Sequence, residues 1–566
     1  MNATVLQPGT ATLAEPHSAA RWTAGVLAGY RVWLMICVGV FAVLLVWAAI
    51  WPYTGEGDST LHFATARDAN VHIWGMLHAW GRPVHKLFII LPSRFGIFPA
   101  RVVQALITIA LMWQTMRLAQ ELGFKKPWLA GLMLIWQPTV FCLASDTMTE
   151  IPFALGMVIA IRLWRARRLA LSCLLVGFLP MVRPEGFFLG PLWGLMLLLP
   201  PSWFAKRDSE DEVKSVGENA DSRRPSYAKA TSTQVLEYGR KNRKKNVYLE
   251  YLSHASKRLL LGLPGVIGLI CWSLACKIFK GGWFYFLDVW SWPVNSYDSY
   301  GSGSLFHHVY LWPDYCGPVL TVFFVVGIRP SLQRRGMALP WIIWSLVFVA
   351  HSVMFWAHKF AALGLMRIMA STSPVTALIC LEGWLWCEQK LRGRKVLPAR
   401  MKLIGLTTAA VACACVMIRY ALEPEHYRCF PIRAVAQYAV SHDMVSGAPM
   451  LFSADKTFYA EVNLPGFCDR AIQTFDWDRE KNVAWLAGLP PGSIGMWDNQ
   501  SSEAWYHISI SQLQDSGYEI IHEEQYILPA PTRLVARFLK FRNYDLRYVL
   551  LRKRAATTQA IAHSNF

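Results

Sequence analysis

The sequence predicts a polytopic all-α membrane protein of about eleven transmembrane helices, followed by a C-terminal extracytoplasmic α/β domain. Three observations carry this prediction. Apolar runs long enough to cross a bilayer recur between residues 32 and 422. Lys and Arg collect in alternate loops. After residue 423 the apolar density drops, and short helix-like and strand-like segments alternate. A chain of 566 residues that is 54% hydrophobic and holds 26 Trp is also too apolar and too aromatic for an ordinary soluble protein.

Residues 1–31 lack the short apolar core and small-residue cleavage site of a removable signal, so they read as a cytoplasmic tail before a retained anchor at 32–52. Further spans are expected at 99–118, 128–144, 259–279, 319–328, 339–357, 363–386 and 403–422. The dense apolar region between them reads as three shorter spans at 151–164, 169–182 and 187–200, the last two alternatively forming a re-entrant hairpin. Either way the chain ends on the same side. Basic residues cluster at Arg117, Lys125 and Lys126, at Arg162, Arg165, Arg167 and Arg168, at 206–258, at Arg329, Arg334 and Arg335, and from Lys390 to Arg400. The loops between them are acidic or aromatic, so one orientation satisfies all: N-terminus in the cytoplasm, residues 54–98 and everything after 422 outside. The net charge of +19 is thereby explained without nucleic acid, which is not an expected partner.

In the loop 54–98, Phe63, Ala66, Ala69 and Ile73 recur at helical spacing and predict an amphipathic helix in the interface, with Trp74 and Trp80 at headgroup depth. The stretch 201–258 is Ser-rich and of mixed charge, and reads as a disordered cytoplasmic insert. Beyond 423, helices are expected at 431–440, 480–489 and 503–514 and strands at 449–453, 493–497 and 518–522, ending in a basic tail from Arg533 to Arg554. Cys429 and Cys468 are candidates for a disulfide in this domain; the other Cys mostly lie in spans as small hydrophobes.

Ionisable residues beside membrane spans are costly and seldom kept without a partner or a task. On the expected outer side they fall in four places: Glu56 and Asp58; Asp146 and Glu150; Arg183 and Glu185; Lys359 and Arg367. Each has a plainer reading. Glu56 sits in water, Asp58 caps the helix after it, Arg183 and Glu185 close a hairpin as an ion pair, and Arg367 snorkels from a span end. His62, His72, His78 and His85 crowd the first loop, which makes a divalent metal a candidate, but no metal-ligand motif accompanies them and no cofactor is certain. There is no phosphate-binding Gly-Lys-Ser/Thr loop, so nucleotide binding lacks support.

An acid in a long first external loop, Thr149-Glu-Ile-Pro-Phe153 opening a span, and Val182-Arg-Pro-Glu-Gly-Phe-Phe188 after a hydrophobic hairpin together resemble the GT-C superfamily of integral-membrane glycosyltransferases, in particular its protein-mannosyltransferase-like group. The resemblance covers residues 32–422 and implies a polyprenyl-phosphate sugar donor and a catalytic base in the first loop. That base maps onto Asp58, with Glu56 as the alternative, because Glu56-Gly-Asp58 stands where many members have adjacent Asp and Glu.

The chemistry agrees. A hydroxyl attacking an anomeric carbon must lose its proton to a positioned carboxylate, while a phosphate leaving group needs a cation rather than an acid. Arg183 and Arg367 are the expected phosphate partners, Glu185 an orienting residue, and Asp146, Glu150 and Lys359 further substrate-binding candidates. The sequence thus predicts a multi-pass inner-membrane enzyme, expected to invert by its single base, that moves a mannose-like hexose to a lipid, glycan or protein acceptor on the extracytoplasmic face. The competing readings are a solute transporter or lipid flippase, disfavoured by the lack of an internal repeat, and an inactive member serving as an assembly subunit.

Overall fold

The computed structural model describes residues 17–50, 57–77, 81–198, 257–288, 302–334, 336–359, 364–394, 397–464, 470–471, 475, 479–538 and 544–555. Glu56, His78, Trp80, Cys468 and nearly all of the expected insert lie outside them. Among the described residues, six helical stretches are long and apolar enough to cross a membrane: Tyr30–Ile50, Ile97–Glu121, Lys257–Lys280, Ala338–Trp356, Met366–Gly393 and Pro398–Ser441. Shorter apolar helices run over Leu169–Met181, Gly186–Leu198 and Pro318–Gln333. The chain is an integral membrane protein, and each apolar segment expected from the sequence is mainly helical over its described residues.

The bundle is built from α1 (His17–Ile50), α4 (Ile97–Glu121), α5 (Trp128–Ile135), α6 (Pro138–Leu143), α7 (Glu150–Arg165), α8 (Leu169–Phe178), α9 (Gly186–Leu198), α10 (Ile267–Lys280), α11 (Pro318–Gln333), α12 (Ala338–Trp356), α13 (Ser373–Gly393) and α14 (Pro398–Ala421). Between α1 and α4 lie α2 (Gly57–Asp68) and α3 (Pro83–Ser93). The expected span 128–144 is broken because Pro138 holds Gln137 in an extended conformation. The freed Gln137 side chain donates to the Ser373 carbonyl at 3.1 Å and accepts from the Tyr315 hydroxyl at 2.6 Å, so the break is satisfied inside the bundle. Helix α13 is the axis of the core, with Val375 and Ala377–Leu381 wholly buried.

The amphipathic helix expected over Phe63 to Ile73 is shorter than its periodicity suggests. α2 ends at Asp68; Phe63, Ala66 and Ala69 are buried, whereas Ile73 and Trp74 belong to a separate 3-10 turn and are exposed. Packing on both sides, rather than one wet face, explains why the simple apolar stripe misjudged its extent.

The C-terminal domain opens with α15 (Pro424–Ser441) and contains β1 (Leu451–Ser453), α16 (Thr457–Glu461), α17 (Arg479–Ala487), β2 (Ile494–Asp498), α18 (Ile510–Asp515), β3 (Tyr518–Ile527), α19 (Ala530–Phe538) and β4 (Asp545–Lys553). Its sheet has the order β1-β2-β4-β3, with β1 and β2 parallel and the other pairs antiparallel. Two sequence expectations need correction here. Residues 545–553, read as part of a basic tail, form the inner strand β4, whose Tyr548–Leu551 are wholly buried. The helix expected over 503–514 forms only from Ile510, where Ser509 and Gln512 make a capping box.

Candidate active site

The site grows from α2. Asp58 lies in the first turn of this helix rather than capping it, and 30% of its side chain stays accessible. Its Oδ2 contacts Nη2 of Arg367, which is carried on the 3-10 segment Met366–Thr372. Nε of Arg367 is 3.7 Å from Oε1 of Glu150, the first residue of α7. The same Glu150 oxygen is 2.6 Å from Nη1 of Arg183. Arg183 then grips Glu185 through Nε and Nη2 at 2.8–3.1 Å, and donates from Nη1 to the Thr149 hydroxyl at 3.0 Å. His351 of α12 closes the series, its Nε2 3.4 Å from Glu185.

Five candidates from the sequence therefore meet in one chain of charge: Asp58, Arg367, Glu150, Arg183 and Glu185. Glu150 has no exposed surface and sits between two guanidinium groups. Asp146 is buried one loop away, on the Arg101 and Ser59 side, although it feels the Glu150 charge. Lys359 is exposed in the turn after α12 and takes no part in this chain among the described residues. Glu56 lies outside the described residues.

Sequence reasoning missed Arg82, Lys86 and His351, and singled out His62 only as a candidate metal ligand. Arg82 is buried and left-handed, with φ 46°, immediately before Pro83, which opens α3. A residue before proline is disfavoured in the right-handed helical region, and the left-handed alternative costs a non-glycine residue about 1–2 kcal/mol. The conformation places Arg82 in the field of Asp58, Glu150 and Glu185. Burial, then Arg183, lowers its guanidinium to about 10, which leaves it a cation at neutral pH. Lys86 sits on α3, whose Leu87, Phe88 and Leu91 are exposed while His85, Lys86 and Ile89 are buried. This inverted pattern, apolar outward and polar inward, was the available signal for a helix lying against lipid over a polar site. Burial and the neighbouring Arg82 pull Lys86 well below the usual lysine range, and burial likewise drives His62 down.

Burial, reinforced by the Glu150 charge, pushes the Asp58 carboxyl up to about 6, while Arg82 and Arg183 oppose the rise. A carboxylate in this range takes a proton readily and is still ionised at neutral pH. Among the described residues no group of three His, Cys, Asp or Glu is arranged to hold a metal ion.

The α/β domain is seated on the same helix. The Thr60 and Thr457 hydroxyls lie 3.0 Å apart, and Arg67 donates to Asn463 Oδ1 at 2.7 Å. Thr457 opens α16 directly after β1, so the carboxyl end of the parallel pair, where ligands of α/β sheets commonly bind, faces α2. Tyr506 belongs to this edge: burial, then Asp498 and Asp58, push its phenol up to about 12.

A helical membrane bundle with a first-loop acid inside an ion-pair chain, joined to a small α/β domain, shares its fold with solved structures of ArnT, in line with the sequence resemblance. Among solved structures it is similar to ArnT from Cupriavidus metallidurans bound to undecaprenyl phosphate, with a TM-score of 0.52, 13% identity, and coverage of 92% of this chain and 98% of that one. ArnT from the same organism in the apo state matches over the same shares, with a TM-score of 0.50 and 12% identity. At this identity the likeness is one of fold. No protein-family model matches the chain, and no curated protein matches it.

Proposed function

We propose that the protein is a membrane glycosyltransferase that transfers a hexose from a polyprenyl-phosphate donor to a hydroxyl acceptor on the extracytoplasmic face, with Asp58 as general base. The observation that carries this reading is the contact between a partly accessible carboxylate and Arg367, backed by Glu150 and Arg183. The shared fold with a protein that binds undecaprenyl phosphate supports the donor class.

In this reading the donor phosphate competes with Asp58 for Arg367, since a guanidinium binds phosphate through the same fork of donors that it offers a carboxylate. Donor binding thus frees Asp58 just where the acceptor arrives. Asp58 then takes the acceptor proton, the acceptor oxygen bonds to the anomeric carbon, and the C–O bond to phosphate breaks with its electron pair leaving on the phosphate. One displacement by one base inverts the anomeric centre. Arg82 and Arg367 stabilise the departing phosphate, while Glu150 and Glu185 orient the arginines rather than touching the acceptor. The α/β domain, seated above Asp58, forms the acceptor side of the cleft.

The test is transfer from a radiolabelled polyprenyl-phosphate hexose in proteoliposomes. Asp58→Asn should lower transfer at least about a hundredfold yet bind the donor lipid at least as tightly as the parent, because the competitor for Arg367 has lost its charge. Near-normal turnover of this variant would remove Asp58 from the base role.

A further inference from the structure

We infer that the face of the α/β domain formed by Phe430, Ile527 and the outer side of α19 rests on anionic phospholipid headgroups of the leaflet from which α14 emerges. Its position relative to the bilayer is set by covalent and hydrogen-bonded continuity. Helix α14 ends at Ala421, and the Tyr427 hydroxyl donates back to the Ala421 carbonyl at 2.9 Å. Tyr526 stacks on Tyr427, with centroids 6.0 Å apart and planes at 24°, and on Phe430 at 5.9 Å and 28°. The end of β3 is thereby held within two side-chain layers of the membrane exit. The other end of α15 is marked by the Tyr438–His522 stack at 4.1 Å. Eleven residues of helix separate Tyr438 from Tyr427, roughly 16 Å at 1.5 Å per residue.

At this near end the domain shows what a headgroup layer accepts. Phe430 is 43% exposed, Ile527 61% and Leu534 73%. Thr532 and Ala536 turn inward from α19, while Arg533, Leu534 and Arg537 face out. Glu423 is engaged with Arg419 at 2.7 Å, and α19 itself carries Arg533 and Arg537 and no acid, Asp545 across from Ile527 being the exposed acid at its edge. Apolar and aromatic side chains flanked by Arg suit the headgroup boundary, where anionic lipids attract basic residues. The headgroup region extends about 5–8 Å beyond the hydrocarbon on each side, within reach of a patch anchored to the last turn of a spanning helix.

The test is photo-crosslinking of the full chain in nanodiscs of phosphatidylglycerol and phosphatidylcholine. The crosslinker p-benzoylphenylalanine replaces Leu534, or Val440 as the control; Val440 is 51% exposed near the far end of α15. Irradiation should add a lipid mass to the peptide carrying position 534, several-fold more than at 440. The paired substitutions Arg533→Glu and Arg537→Glu should cut that yield several-fold in anionic discs. No lipid adduct at 534, a yield equal to that at 440, or an adduct to a second protein chain instead would overturn the assignment to lipid. An undiminished yield in the charge-reversed variant would overturn the assignment to anionic headgroups. Neither readout uses donor or acceptor, so the result stands apart from the transferase reading.

Discussion

Asp58 and Arg367 are separated by 309 positions in sequence and meet as acid and cation. A base works only when ionised, so with Asp58 near 6 the transfer rate should rise with pH through about 6 and fall away below it. Removing the cation in contact with it disfavours the ionised form, so Arg367→Ala should move this acid limb to higher pH, seen in kcat/KM profiles of reconstituted protein. Asp58→Asn should lower transfer by about 10²–10⁴-fold, the usual worth of a general base. Glu150 makes a different prediction because it is wholly buried between Arg183 and Arg367. Glu150→Ala removes the buried acid shared by two guanidinium groups, leaving Arg183 to Glu185 and Arg367 to Asp58, and should cost up to about 3–5 kcal/mol, measured by unfolding in detergent. The sequence flagged each of these residues by its depth beside a span, and could not say which would touch, since pairing across distant segments leaves no local trace.

At the scale of elements, apolar length identified the helices well, because each span must satisfy its own backbone in hydrocarbon. It was less informative where a segment is buried by protein. α2 departs from its stripe for this reason, and β4 was hidden because Arg547, Arg552 and Lys553 flank its buried run and read as a solvated tail. Arg547 is in fact paired with Glu523 and Arg552 with Glu519 on the neighbouring β3. Helices α11 and α13 cross closely at Gly327 and Gly383: a Cβ on Gly327 would lie 2.0 Å from the Ile379 carbonyl oxygen, and one on Gly383 2.0 Å from that of Phe323. Small residues at such a crossing let backbones pack without a side chain between them. Gly327→Val should therefore destabilise the bundle by about 1–3 kcal/mol or more, visible as a lower thermal midpoint in detergent.

For the whole molecule, the two parts meet at α2, which carries Asp58 in its first turn and receives the α/β domain at Thr60 beside it and at Arg67 in its last turn. Thr60→Val leaves the Thr457 hydroxyl without its present partner in a buried contact, and Arg67→Ala removes the hold on Asn463. The double variant should loosen the domain, giving faster limited proteolysis of the full chain and a higher KM for acceptor, with donor binding unchanged. A rise in donor KM instead would count against an acceptor role for this edge. By itself the sequence determined the membrane character of the chain, its helical segments and the class of residue to watch, because hydrophobicity and charge act residue by residue along a span. Only the tertiary structure decided that Arg82 and Lys86 are buried beside this chain of charge, that Lys359 lies apart from it among the described residues, and that the carboxyl end of the parallel strands faces α2. Those outcomes depend on which buried surfaces meet. Periodicity tells that a face is covered, and only packing tells by what.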